Sequence, residues 1–164
     1  APVPGNNMQA RIRLLGQRLA AQGATLATAE SCTGGLVAAR CTDVPGSSAW
    51  FVGGVVAYAN EIKRDVLGVD PALLAAHGAV SEAVVRAMAA GVRRLTGARV
   101  TVAVSGVAGP DGGTPDKPVG TVWLAVADGE NVQATRFLFS GDRAAVRNAT
   151  VEATVEALLA LFGG

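Results

Sequence analysis

The chain has 164 residues, half of them hydrophobic and 16% charged, with 14 basic and 13 acidic side chains giving a formal charge of +1. That length suits one domain with a core of its own, and that composition excludes a mainly disordered chain. The balanced charge argues against a nucleic-acid surface, which would carry a basic excess.

Residues 1–7, Ala-Pro-Val-Pro-Gly-Asn-Asn, read as a linker or tag-like lead ahead of a single domain over 8–164. They have neither the charged nor the apolar region of a signal peptide. Asn7 is placed to cap a helix over 7–22, where Met8, Ile12, Leu15 and Leu19 recur at helical spacing. Gly23 suits its left-handed stop. Residues 25–30 read as a short buried strand, and Gly34-Gly35 opens a helix toward Arg40. A β-rich run follows over 51–59, with Gly53-Gly54 marking a bulge or a close backbone approach. Asn60 is read as the cap of a short helix ending near Gly68, and Asp70-Pro71 as a second cap with proline in the first turn. Ser81 caps a longer helix stopped by Gly97, its apolar stripe being Val84, Val85, Met88, Val92 and Leu95.

Residues 99–105 form a valine-rich strand, and 106–118 a glycine- and proline-rich loop. Strands over 119–127 and 132–140 are joined by a hairpin at Asp128-Gly129. Asp142 caps a final helix to about Leu161, with Val146, Val155, Leu158, Leu159 and Phe162 facing inward. Early strands alternating with helices predict parallel pairing, and the hairpin predicts one antiparallel strand. The expected fold is therefore α/β: a mixed, mostly parallel five-stranded sheet with helices on both faces.

Two cysteines cannot build a disulfide framework and point to a reducing cytoplasm. The single histidine, His77, cannot build a histidine-rich metal site. No apolar run approaches the ~20 residues of a membrane helix. Twelve of the 14 basic residues are arginine, leaving Lys63 and Lys117 as the two lysines. That excess suits phosphate recognition and equally the codon bias of a GC-rich genome.

In sheets of this kind ligands bind beyond the carboxyl ends of the strands. Three segments fall on that rim. In Ala29-Glu30-Ser31-Cys32-Thr33-Gly34-Gly35, Ser31 sits where a strand turns into a helix. Unpaired N–H groups and the positive end of the helix dipole gather there. A serine so placed can attack a carbonyl while nearby N–H groups of Cys32, Thr33, Gly34 and Gly35 hold the oxyanion. Ser31 or Thr33 could equally be a plain N-cap. Cys32 competes as nucleophile, though a cysteine–histidine pair would require His77 and the spacing gives it no support.

In Tyr58-Ala59-Asn60-Glu61-Ile62-Lys63, the lysine lies one turn into a helix. A serine without histidine needs another base, and neutral lysine can serve. At pH ~7.4 roughly 0.1% of an ordinary lysine is neutral; bringing its pKa near 7.5 takes about 4 kcal/mol of differential solvation, which burial can supply. Tyr58 could relay a proton or donate to an oxyanion. Alternatively, Lys63 is a solvated helix residue paired with Glu61 or Asp65.

The third segment is Ser105-Gly106-Val107-Ala108-Gly109-Pro110-Asp111-Gly112-Gly113. It follows a strand as phosphate-cradling loops do, but lacks the Gly-Lys-Ser/Thr of a P-loop and the helix of a dinucleotide fold. Ser105, Gly106, Gly109 and Gly112 are its candidate anion contacts, and an Ω-loop is the structural alternative. Arg143, in Gly141-Asp142-Arg143, is either a phosphate partner or surface charge.

These segments, with Pro118-Val119-Gly120-Thr121-Val122-Trp123 and Gly141-Asp142-Arg143, together resemble the CinA carboxyl-terminal domain family over residues 8–164. The resemblance implies nicotinamide-nucleotide amidohydrolase activity of the PncC type, converting nicotinamide mononucleotide to nicotinic acid mononucleotide and ammonia in pyridine nucleotide salvage. It also implies a three-layer α/β/α sandwich, a homodimer, and a serine–lysine dyad that falls on Ser31 and Lys63 with Tyr58 assisting. The reaction it implies needs no metal or organic cofactor, while the balanced charge and the lack of a long apolar run speak against nucleic acid and membrane. Two other readings use the same segments: a nucleotide-binding regulatory domain without catalysis, and a serine–lysine amidase for a different small amide.

Overall fold

Two strands that are buried almost throughout set the architecture. In the computed structural model, which describes residues 4–163, β1 (Leu26–Glu30) is buried at every position. The next of these strands, Val100–Gly106, is buried at all but its last residue. Such runs need cover on both faces. With β2 (Phe51–Val56), β3 (Val100–Gly106), β4 (Thr121–Asp128) and β5 (Asn131–Leu138), they form one sheet in the order β2-β1-β3-β4-β5. β1 pairs in parallel with β2 and β3, while β4 is antiparallel to β3 and β5. Four strands therefore point one way and β4 alone the other.

Alternation along β1 and β3 sorts the two faces. Leu26, Val100, Val102 and Val104 pack with Ile12, Leu15, Leu19 and Leu158 from α1 (Pro4–Ala21) and α6 (Arg143–Phe162), and with Val37 of α2 (Leu36–Thr42). Ala27, Ala29 and Ala103 face the other way, toward Val84, Val85, Met88 and Val92. Alanines on that face bring the long helix close to the sheet. The third layer is completed by α3 (Asn60–Asp65), α4 (Pro71–His77) and α5 (Glu82–Thr96). Gly91 of α5 packs so tightly that a Cβ there would collide with the Leu67 carbonyl oxygen. This is the expected α/β/α sandwich. No helix among the described residues is long and apolar enough to cross a membrane.

Local signals placed most element ends. Asp70, Ser81 and Asp142 each accept a backbone N–H at a helix start, from Ala72, Val84 and Ala145. The chain slips one position between β1 and β2 at the Gly53 region, where φ of Gly53 is 146°. Differences have physical reasons. Helix α1 begins at Pro4, so Asn7 lies inside it and caps nothing; proline lacks the N–H that a first turn leaves unpaired. Residues 1–3 of the expected lead lie outside the described residues. Ala59 occupies the cap position of α3 in extended conformation, so Asn60 is its first helical residue. Leu95 is 54% exposed and leaves the inner face of α5 to Ala89 and Gly91. β2 ends at Val56, and Tyr58 and Ala59 lead into α3.

Candidate active site

The carboxyl ends of β1, β2 and β3 share one rim, and a cavity of about 270 Å³ opens there between Ser31, Lys63 and the loop after β3. Its chemistry begins with the turn from β1 into α2. The Ser31 N–H donates to the Val104 carbonyl at 3.0 Å, extending the β1–β3 ladder one residue past the strand. Gly34 and Gly35, at φ 60° and 103°, then reverse the chain in conformations that suit glycine. The Gly34 N–H returns to the Ser31 carbonyl at 3.0 Å.

Glu30 holds this turn from below. Its carboxylate is 1% exposed. It accepts from the Thr33 hydroxyl at 2.6 Å, from Val37 N–H at 2.9 Å, from Ala38 N–H at 3.0 Å and from the Thr28 hydroxyl at 3.3 Å. The positive end of α2 is thus answered by Glu30 and does not face the cavity. This corrects the expectation that the helix start itself serves a ligand. Thr33 is fully buried with its hydroxyl on Glu30. Thr33, Gly34 and Gly35 do not line the cavity, whereas Cys32 does. Among the described residues the Cys32 N–H donates to no other backbone group; it lies against its own thiol.

Lys63 meets the turn from α3. It is 1% exposed, and its Nζ lies 3.0 Å from Ser31 Oγ and 2.9 Å from the Tyr58 carbonyl oxygen. Burial holds its pKa below the ordinary 10.5, with Cys32 opposing the shift. The solvated alternative fails, because Asp65 pairs with Arg64 at 2.7 Å and Lys63 turns inward. The Tyr58 carbonyl takes one Nζ proton, which in the neutral amine leaves the lone pair free to face Ser31. Tyr58 itself is 60% exposed, and its hydroxyl accepts from Arg143 Nη2 at 3.2 Å. That hydroxyl lies on Arg143, while Ser31 and Lys63 touch each other directly.

Cys32 is a poor competitor. Burial pushes its thiol up to about 11, with the Glu30 carboxylate adding to the rise, against the hydrogen bond from its own backbone N–H and the Arg147 and Lys63 charges. Near neutral pH it stays a protonated thiol and a weak nucleophile. His77 is exposed on α4 and does not line the cavity.

The third segment divides in two. Ser105 and Gly106 belong to β3, and the loop proper starts at Val107. Its neck is closed by Val107 N–H to the Thr121 carbonyl at 2.8 Å and Gly120 N–H to the Val107 carbonyl at 2.7 Å. Ser105, Gly106, Gly109, Gly112 and Arg143 all line the cavity. Arg143 Nη1 donates to the Gly109 carbonyl at 2.9 Å, so one guanidinium ties the loop to Tyr58 over the opening.

Sequence reading gave no role to Glu30 or Arg147. Arg147 Nε and Nη2 donate to the carbonyls of Cys32 and Thr33 at 3.2 and 3.0 Å, gripping the Ser31 turn from α6. The signals were faint: a carboxylate ending an otherwise uncharged strand, and an arginine one helical turn after Arg143. Among the described residues no group of His, Cys, Asp or Glu is arranged to hold a metal ion. The arrangement amounts to a buried amine against a serine hydroxyl at the floor of a cavity, with an arginine and a glycine loop at its mouth.

A family model described as the CinA C-terminal domain matches residues 8–162. A Pseudomonas putida protein named nicotinamide-nucleotide amidohydrolase PncC is 56% identical over 147 residues, covering 90% of this chain and 92% of that protein. A CinA-like protein of Geobacter sulfurreducens is 57% identical over 129 residues, covering 79% of this chain but 31% of the relative. The chain thus spans nearly all of the first relative and about a third of the second. Among solved structures, the competence/damage inducible protein CihA of Agrobacterium tumefaciens superposes with a TM-score of 0.92 at 40% identity, covering 98% of both chains. A CinA superfamily protein of Enterobacter cloacae gives a TM-score of 0.92 at 35% identity, covering 95% of this chain and 92% of that one.

Proposed function

The chain belongs to the CinA C-terminal domain family, and from that premise we propose that it is an amidohydrolase acting on nicotinamide mononucleotide. The products are nicotinic acid mononucleotide and ammonia, as in pyridine nucleotide salvage. The observation that carries this reading is the buried Lys63 Nζ at 3.0 Å from Ser31 Oγ inside the rim cavity. The amidohydrolase relative at 56% identity supports the substrate.

Ser31 Oγ attacks the carboxamide carbon and passes its proton to neutral Lys63. The tetrahedral oxyanion collapses, the C–N bond breaks, and Lys63 returns the proton to the departing nitrogen, giving ammonia and an acyl-Ser31 ester. Water then attacks the ester and gives a proton to Lys63. Lys63 passes it back to Ser31 Oγ as the C–O bond breaks. The sum is amide plus water to acid plus ammonia, with Lys63 unchanged. Arg143 and the backbone N–H groups of Ala108, Gly109, Asp111 and Gly112 receive the phosphate, and the resting Arg143 contacts to Gly109 and Tyr58 give way to it. No metal or organic cofactor enters these steps. Two buried free thiols suit a reducing cytoplasm, where we place the reaction.

Ammonia release by the purified protein tests this. The panel is the mononucleotide, its riboside, free nicotinamide and unrelated small amides. We expect turnover of the mononucleotide. Loss of two or three charge-assisted phosphate contacts should make the riboside at least ~100-fold poorer in kcat/KM. Binding of the mononucleotide without ammonia release would leave a regulatory domain, and faster turnover of an unrelated amide would reassign the substrate.

A further inference from the structure

An oxyanion site needs donors, and the donors near Ser31 can be counted. The Ser31 N–H is taken by Val104 and the Gly34 N–H by the Ser31 carbonyl. Val37 and Ala38 N–H are taken by Glu30. Thr33 is fully buried with its hydroxyl on Glu30 and does not line the cavity. Lys63 is occupied with the serine proton and the Tyr58 carbonyl, and the Tyr58 hydroxyl is 60% exposed beside Arg143. From the nucleophile turn this leaves the Cys32 N–H as the donor on the cavity wall.

One further hydroxyl sits beside it without a partner. Ser105 is 1% exposed, lines the cavity, and makes no side-chain hydrogen bond among the described residues. Its position is fixed by the sheet. Glu30 is opposite Val104 in the β1–β3 register, and Ser31 N–H bonds the Val104 carbonyl, so Ser105 lies alongside the nucleophile. Its hydroxyl is not sealed off, since the buried side-chain atoms without a partner among the described residues are Arg40 Nε and Thr101 Oγ1; it opens to the cavity, where a bound carbonyl oxygen can accept from it. It also sits in β3, at the floor of the cavity and before the loop that the phosphate would meet.

We infer that Ser105 is a catalytic residue for this reaction. Its hydroxyl donates to the carboxamide oxygen and, with the Cys32 N–H, forms a two-donor oxyanion site. The inference rests on the amidohydrolase reading above and moves Ser105 from the phosphate end of the substrate to the reacting end. The hydrogen bond strengthens as the carbonyl oxygen gains charge, so its loss appears in kcat more than in KM. Hydroxyl donation needs no change in charge, so the pH profile should keep its shape.

The test compares Ser105→Ala and Ser105→Thr with wild type, using mononucleotide turnover, and uses mononucleotide affinity in a Ser31→Ala background. We expect Ser105→Ala to lower kcat by ~100- to 1000-fold with KM within about threefold, on the scale of one lost oxyanion donor. Ser105→Thr, which keeps a hydroxyl, should recover at least a tenth of the wild-type kcat. Affinity for the mononucleotide should be unchanged when Ser105→Ala is added to Ser31→Ala. If Ser105→Ala keeps kcat within threefold of wild type, the inference is overturned while the Ser31–Lys63 reading stands. A loss confined to KM and to affinity returns Ser105 to substrate binding. Absence of wild-type turnover removes the amidohydrolase reading itself.

Discussion

Lys63 owes its lowered pKa to where it is kept. With its amine buried between Ser31 and the Tyr58 carbonyl, charging it means charging a group withdrawn from water. Activity through the neutral amine should rise with pH and level off, with a midpoint below the ordinary 10.5. The same shift has a sign in stability. Between the lowered folded value and 10.5 the unfolded chain holds the extra proton, so stability rises with pH across that window and is least below it. Lys63→Met should abolish turnover and flatten that slope in denaturant titrations repeated across pH. Lys63→Arg should be nearly as inactive, because arginine keeps the charge and cannot serve as base. Substantial turnover by Lys63→Arg would make the role electrostatic.

The turn between β1 and α2 is a joint between two elements, and Glu30 is its fastening. One side chain from the last position of the strand closes the first turn of the helix and the Thr33 hydroxyl together. Glu30→Gln keeps the volume but presents an amide where N–H and hydroxyl donors converge. It should cost ~2–4 kcal/mol in unfolding free energy, as expected for losing charge-assisted bonds and stranding buried donors. Chemical denaturation of the variant checks this; unchanged stability would show the turn to be held elsewhere. This joint also marks how far the sequence could be read. Asp70, Ser81 and Asp142 were legible as caps because each acts within three residues of itself. Ser31, Lys63 and the glycine loop were legible because strand ends and glycine turns converge on one rim. Glu30 acts across seven and eight positions, and Arg147 across more than a hundred. Helical or strand periodicity carries no trace of such reach, so Arg147 reads from sequence as one more polar residue on α6. Tyr58 meets Lys63 through its backbone carbonyl, an atom every residue carries, so its side chain gives no sequence signal of that contact.

At the scale of the molecule, the sheet has two edges of different character. β5 exposes polar positions such as Gln133, Thr135 and Arg136, whereas β2 reads Phe-Val-Gly-Gly-Val-Val without a charge. Val52 and Val56 are 49% and 51% exposed, close in sequence to Tyr58. Natural sheets usually protect an open edge with charge, proline or a covering segment. We propose that the working unit is a homodimer, as expected from the family resemblance. Light scattering should report twice the chain mass at micromolar concentration, and an active monomer there would contradict it.

The chain's two lysines differ in access, and that gives a chemical handle. Lys63 is enclosed at the floor of the cavity, while Lys117 stands on the far part of the β3–β4 loop, its amine on the His77 carbonyl. Apart from the amino terminus, an amine-directed tag therefore has two destinations sorted by size. A bulky label should attach at Lys117 and leave turnover intact. A reagent small enough to pass Arg143 should acylate Lys63 and silence the protein in step with one added mass, and bound mononucleotide should slow only that second event. Peptide mapping of the labelled protein would show the order of attachment, turning lysine accounting into a direct gauge of when the cavity is filled.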